Sequence, residues 1–172
     1  MNLREATTAK HKEAESVPFN QRLMRGELTH EEYGRYLTVQ YNIFDTIESK
    51  FGLPRTDLFR ADLILDDLTE LGVIDITTIR PNAKLYCDYL RGLDYKSAQP
   101  HIYLNYMAIL MGGQMMKSKV IGSGRMYDFG DSSNVRHLAK IIRNDVKDDW
   151  ADEVNKGYEF IISILNELND TK

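Results

Sequence analysis

The sequence is poor in the residues that staple or interrupt a chain. Its only cysteine is Cys87, which excludes an intrachain disulfide and leaves a thiolate metal site without partners, so a reducing, cytoplasmic setting is the simplest expectation. Only four prolines occur, Pro18, Pro54, Pro81 and Pro100. No stretch approaches the roughly 20 apolar residues that cross a bilayer, and the beginning around Arg4 and Glu5 lacks the apolar run of a signal peptide. The expectation is a soluble protein with no membrane tail. Neither sign of charge dominates, with Lys+Arg 22 against Asp+Glu 26 and a net charge of -4, which excludes the basic footprint of a general nucleic-acid binder. No strand-period alternation, internal repeat, low-complexity tract or linker interrupts the pattern.

What is present is helical periodicity. Apolar residues recur three and four apart between the prolines, and 42% hydrophobic content over 172 residues suffices for one core. An all-α, single-domain bundle over residues 1–172 follows. Thr29-His30-Glu31-Glu32 has the form of a capping box that opens a helix running to Phe51. Further helices are expected over 2–15, 57–72, 78–92, 100–121, 132–146 and 149–169. Glycines and serines at 121–124 and the Asp128–Ser133 stretch supply breaks and caps.

Two stretches carry chemistry. In the first, residues 3–15, helical spacing places Thr7, His11, Ala14 and Glu15 on one face, so the imidazole is flanked by small side chains. Glu15, one turn on, can take one imidazole N–H and make the other nitrogen a better metal ligand. A surface histidine paired with a glutamate satisfies the same pattern. In the second, residues 101–117, the adjacent Gly112 and Gly113 cost about 1 kcal/mol each relative to alanine in a helix and call for a reason. Kinking with close approach to a flat ligand is one, and tight packing on a neighbouring helix is the other. The methionines of this stretch serve as core filler on composition alone.

Taken together, Leu-Arg-Glu-Ala-Thr-x-x-x-His-x-x-x-Glu at 3–15 and His-x-Tyr-x-x-Tyr-x-x-x-x-x-Gly-Gly-Gln at 101–114 resemble the proximal and distal helices of the haem oxygenase family. Arg25–Thr29 and Tyr41–Phe44 match the region between them in order and approximate spacing, so the resemblance spans nearly the whole chain. It implies a haem oxygenase-like helical bundle with haem between the two helices. It further implies His11 as the axial iron ligand, Glu15 as its support, and Gly112 and Gly113 close to the ring. Arg4 lies where the family has a basic residue near a propionate. Arg136, Lys140 and Arg143, spaced i, i+4 and i+7, are candidate propionate partners, although a solvated basic face has the same spacing. Tyr103 and Ala108 match positions beside the haem, and Phe160 matches an aromatic wall on the last helix.

The reaction implied is oxidative opening of haem, at once cofactor and substrate, to biliverdin, carbon monoxide and ferrous iron, with O2 as co-substrate. Ferredoxin or a flavoprotein reductase is the implied electron donor, a bilin reductase is a conceivable downstream partner, and a monomer is the default. The sequence departs from the family pattern where protons are handled. Ile109 stands at the aspartate that anchors catalytic water, Phe44 at a tyrosine and Asn105 at an arginine. Two functions fit this departure: a haem oxygenase whose water is held by Asn105 and helix carbonyls, or a haem-binding, transport or sensing protein with little ring opening. A thiaminase-like branch of the fold is a third, but its acidic and cysteine pocket chemistry does not match Cys87, which lies outside the distal motif.

Overall fold

Two reciprocal capping boxes start the helices that frame the molecule. Asn2 Oδ1 accepts from the Glu5 amide at 2.9 Å while Glu5 reaches back to the Asn2 amide, and Thr29 and Glu32 repeat the exchange. Each pairing satisfies two amides that the first helical turn leaves without partners. The computed structural model describes residues 1–171 and is built of α1 (Leu3–Ser16), α2 (Pro18–Met24), α3 (His30–Lys50), α4 (Ala61–Glu70), α5 (Pro81–Arg91), α6 (Tyr95–Lys117), α7 (Ser132–Arg143) and α8 (Ala151–Asp170). Single 3-10 turns lie at Thr56–Leu58, Arg125–Tyr127 and Asp148–Trp150, and no strand occurs among the described residues.

Three expectations about elements change. Proline at 18 and 81 begins a helix in each case, because its missing N–H is one that the first turn leaves unpaired anyway. The short α2 starts at Pro18, which in the sequence looks like an interruption. The helix expected over 57–72 separates into a 3-10 turn and α4. The helix expected to begin at residue 100 begins five residues earlier, where Asp94 caps Ser97 at 2.8 Å. Pro100 then sits inside the helix, and the carbonyl it leaves without a donor belongs to Lys96, which is exposed.

α3 runs through the core, and its Tyr33, Leu37, Ile43, Phe44 and Ile47 are almost wholly buried. Each such side chain contributes about 1.5–3 kcal/mol. Polar side chains then fix the loops. Glu48 of α3 accepts the amides of Arg60 and Ala61 at 2.8 and 3.0 Å, capping α4, and also accepts the Tyr106 hydroxyl from α6 at 2.6 Å. Asp67 of α4 accepts the amides of Arg125 and Met126. Arg60 is only 2% exposed. Its guanidinium donates to the carbonyls of Asp57, Leu58, Phe59, Met126 and Asp128 and lies 3.8 Å from the centre of the Phe129 ring. The 125–129 segment is thereby tied to α4.

At the other end of α3, Arg22 of α2 grips Glu32 through two parallel hydrogen bonds of 2.9 and 2.6 Å. Chiefly through this pairing, the Glu32 carboxyl is pulled down to about 2. A carboxylate held below its unfolded value stabilises the fold above that value, and the contribution disappears as pH falls through the folded one. Glu32→Gln should therefore cost about 1–2 kcal/mol at pH 7, allowing for solvent screening, and the deficit should close between pH 4.5 and 2. Parallel urea melts across this range check it.

Candidate functional site

Both α1 and α6 pack on α8, and they meet at a small apolar cluster. α1 runs along α8 in the same direction: the Leu3 amide donates to Asp148, Asn155 donates to the Ala6 carbonyl, and Lys10 faces Glu159. α6 crosses α8 at its own beginning. A Cβ on Gly157 would lie 2.5 Å from Leu104 Cδ2 and 3.2 Å from His101 Nδ1, so a larger residue there would displace the Leu104 side chain at this crossing. Leu3, Leu104 and Val154 close the junction as a small apolar cluster. Beyond it α1 stays with α8, whereas α6 moves off to pack on α7 and the 125–127 turn. His11 is eight residues past Leu3 and Gly112 eight past Leu104, about 12 Å along either arm of the resulting wedge.

On the first arm, Thr7 and Ala14 are buried while His11 and Glu15 stand at the exposed rim. The small residues expected to surround the imidazole thus face the interior. Glu15 Oε1 lies 2.6 Å from His11 Nε2, and both side chains are about half exposed. The imidazole stacks on Tyr158 of α8, centroids 5.8 Å apart. Burial, with lesser contributions from Tyr103 and Glu15, pushes the Tyr158 phenol up to about 12, so it remains a neutral platform. This residue was not among those the sequence pointed to. The expected aromatic wall, Phe160, lies two positions on and on another face, stacked on Tyr86 at 4.8 Å and tilted against Tyr89 at 5.1 Å, both of α5.

On the second arm, one face of α6 changes from covered to bare. His101, Leu104 and Asn105 are buried, whereas Ala108, Met111 and Met115, one to three turns along the same side, are exposed. At 63% and 58% exposure, Met111 and Met115 are among the most exposed large apolar side chains, so they are not core filler. The helix runs unbroken through the glycine pair, which divides by role. A Cβ at Gly113 would lie 2.8 Å from the Tyr127 carbonyl oxygen, and one at Gly112 would meet only Met116 at 3.7 Å. Gly113 is thus explained by packing on the 125–129 segment, and Gly112 alone borders open space. Gly113→Ala should cost about 1–3 kcal/mol by overpacking, while Gly112→Ala in the ligand-free chain should be neutral or stabilise by up to about 1 kcal/mol through helix propensity. Thermal melts of the two variants check the contrast.

Three distal candidates turn inward, because the helical turn places them on the core side of their helices. Ile109 is 6% exposed and Phe44 fully buried, with Phe44 set edge-on to Tyr106 at 4.9 Å. The Asn105 amide is committed to the Tyr86 hydroxyl and the His101 carbonyl at 3.0 and 2.8 Å, so its donor cannot hold water for a distal site. Tyr103 is half-buried beside Trp150, near the junction of the arms. Arg136, Lys140 and Arg143 are exposed on α7. Arg143 Nη2 lies 3.8 Å from Met111 Sδ, which brings one cation to the bare face. Arg4 is exposed near the start of α1. No local pattern marks the buried array joining Tyr86, Tyr89, His101 and Glu153, since its members are scattered over three helices.

No group of three or more His, Cys, Asp or Glu side chains suited to a bare metal ion occurs among the described residues. An iron held by His11 would have to arrive with most of its ligands already in place. One nitrogen donor, an exposed apolar helix face and the Arg143 cation beside it fit a porphyrin with its carboxylates.

The fold is an all-helical bundle with an exposed imidazole on one helix and a bare apolar face on another. The chain belongs to the haem oxygenase family, whose model, Heme oxygenase, matches residues 1–148. A heme oxygenase of Pyropia yezoensis is 26% identical over 144 residues, covering 74% of this chain and 60% of that protein; the chain therefore spans about three-fifths of that relative. The fold is shared with heme oxygenase-2 from Synechocystis, solved with heme and NO, at a TM-score of 0.85 and 20% identity, covering 98% of this chain and 84% of the other. Heme oxygenase from Leptospira interrogans gives a TM-score of 0.80 at 22% identity, covering 96% and 97%. No helix of the described residues is long and apolar enough to cross a membrane.

Proposed function

We propose that the chain binds haem in the wedge between α1 and α6 and opens its ring to biliverdin, carbon monoxide and ferrous iron. The supporting observation is the pairing of an exposed, carboxylate-supported imidazole with the bared Ala108–Met115 face, equally far from the Leu3–Leu104 junction. Bound haem would supply the iron for O2 activation and also the carbon skeleton that is cut. His11 would be the iron ligand. Its Nε2 contact with Glu15 is made by half-exposed groups, so a ring turn that gives Nδ1–H to the carboxylate and frees Nε2 costs little. Gly112 would let the helix backbone come close to the ring, and Ala108, Met111 and Met115 would exclude water from it. Arg143, with Arg136, Lys140 and Arg4, would pair with the propionates.

The exposed part of this helix face contains no ionisable side chain, and Ile109 faces the core. Protons would therefore come through solvent entering the open side of the wedge and meeting backbone carbonyls of α6. This favours a second reading, a haem-binding protein with little ring opening. A single-turnover assay with haem, O2, catalase and a ferredoxin or flavoprotein reductase separates the two. Biliverdin formation supports the enzyme. Persistence of the haem spectrum leaves the binding protein.

A further inference from the structure

The covered half of α6 carries a second chemical centre, remote in character from the wedge. His101 is completely buried and both its nitrogens are engaged, Nδ1 at 2.7 Å from the Tyr86 hydroxyl and Nε2 at 2.8 Å from Glu153 Oε1. Tyr86 accepts the Asn105 amide at 3.0 Å, which leaves its own hydrogen to donate to Nδ1, and Nε2–H then donates to the carboxylate. All these donors point one way, from Asn105 towards Glu153, and such aligned chains strengthen one another. Burial, stronger here than the opposing pull of Glu153, pushes His101 down and keeps the ring neutral. Burial also works against the Glu153 charge, but the hydrogen bonds from His101 and Tyr89 hold that carboxyl below its ordinary range.

We propose that Tyr86 is a redox-active tyrosine, giving one electron to an outer-sphere one-electron oxidant while its phenolic proton moves to Nδ1 of His101. The O–H bond breaks and an N–H bond forms; the phenol becomes a neutral phenoxyl radical, the oxidant is reduced by one electron, and the new imidazolium is paired with Glu153. Losing the proton together with the electron avoids a phenol radical cation at a fully buried site, where an unpaired charge is costly. Tyr89 shares the Glu153 carboxylate, but the Lys156 ammonium lies 4.4 Å from the centre of its ring, and a nearby cation disfavours removing an electron there. Tyr106 instead faces Glu48, whose oxygens already hold two amides. Among the described tyrosines, Tyr86 alone donates to a neutral imidazole.

The test needs no haem, so its outcome is independent of the ring-opening reading. The full chain is oxidised by a photogenerated ruthenium(III) polypyridyl complex, freeze-quenched and examined by electron paramagnetic resonance in H2O and D2O. The expected result is a tyrosyl signal with a solvent-exchangeable proton coupling, lost in both Tyr86→Phe and His101→Gln and kept in Tyr106→Phe. His101→Gln retains an acceptor for the phenol but no base, so it decides the matter even if Tyr86→Phe does not fold. A signal unchanged in His101→Gln, or one that disappears in Tyr106→Phe, overturns the proposal.

Discussion

Haem added to the His11→Ala chain should lose its imidazole-type absorption spectrum and bind at least about 100-fold more weakly. Losing a residue that merely supports a metal ligand costs 10–100-fold, and losing the ligand itself should cost no less. Because His11 is half exposed and contributes little to the core, the variant should melt within about 0.5 kcal/mol of the parent, as surface changes do. Free imidazole should restore much of the spectrum by filling the vacated position. Glu15→Gln should leave the ligand in place and weaken haem binding by about tenfold. Titrations followed by absorption measure all of these effects, and an unchanged spectrum in His11→Ala would remove the ligand assignment.

The largest effect on stability should come from Arg60→Ala. The truncation leaves five carbonyl oxygens without their donor and opens a cavity against Phe129. Charge-assisted hydrogen bonds contribute about 1.5–3 kcal/mol each, but carbonyls near the surface recover part of this from water. A net loss of about 3–5 kcal/mol follows, lowering the melting temperature by on the order of 10 °C in a chain of this size. Arg60→Lys should recover little, because an ammonium is a point donor and cannot span the 57–59 and 125–128 segments at once. Differential scanning calorimetry tests both variants. An Arg60→Ala chain that melts like the parent would show that the 125–129 segment is held by Asp67 alone.

The helical class and seven of the eight helices were legible in the sequence, α2 being the exception, because periodicity and caps are local signals. The Thr29–Glu32 box is an example, since the residues that make it are the residues that one sees. The site was legible only in part. Motif spacing found His11 and Glu15, which touch each other, but it could not tell which side of α6 faces inward. That depends on what packs there. Gly112 and Gly113 read as one signal, yet a turn of 100° per residue sends one to solvent and the other onto the Tyr127 carbonyl. Phe160 was expected where Tyr158 stands for the same reason: a shift of two positions exchanges the α1 side of α8 for the α5 side. The Tyr86–His101–Glu153 array left no trace, because 15 and 52 residues separate its hydrogen-bonded partners.

Carbonyl groups, unlike carboxylates, neither gain protons in acid nor carry a net charge that dissolved ions can shield. A guanidinium anchored on them should hold its ground in strong brine and at low pH, where the Arg22–Glu32 clasp lets go. Disassembly under such conditions would then begin around α2, while the backing behind Gly113 persists longer.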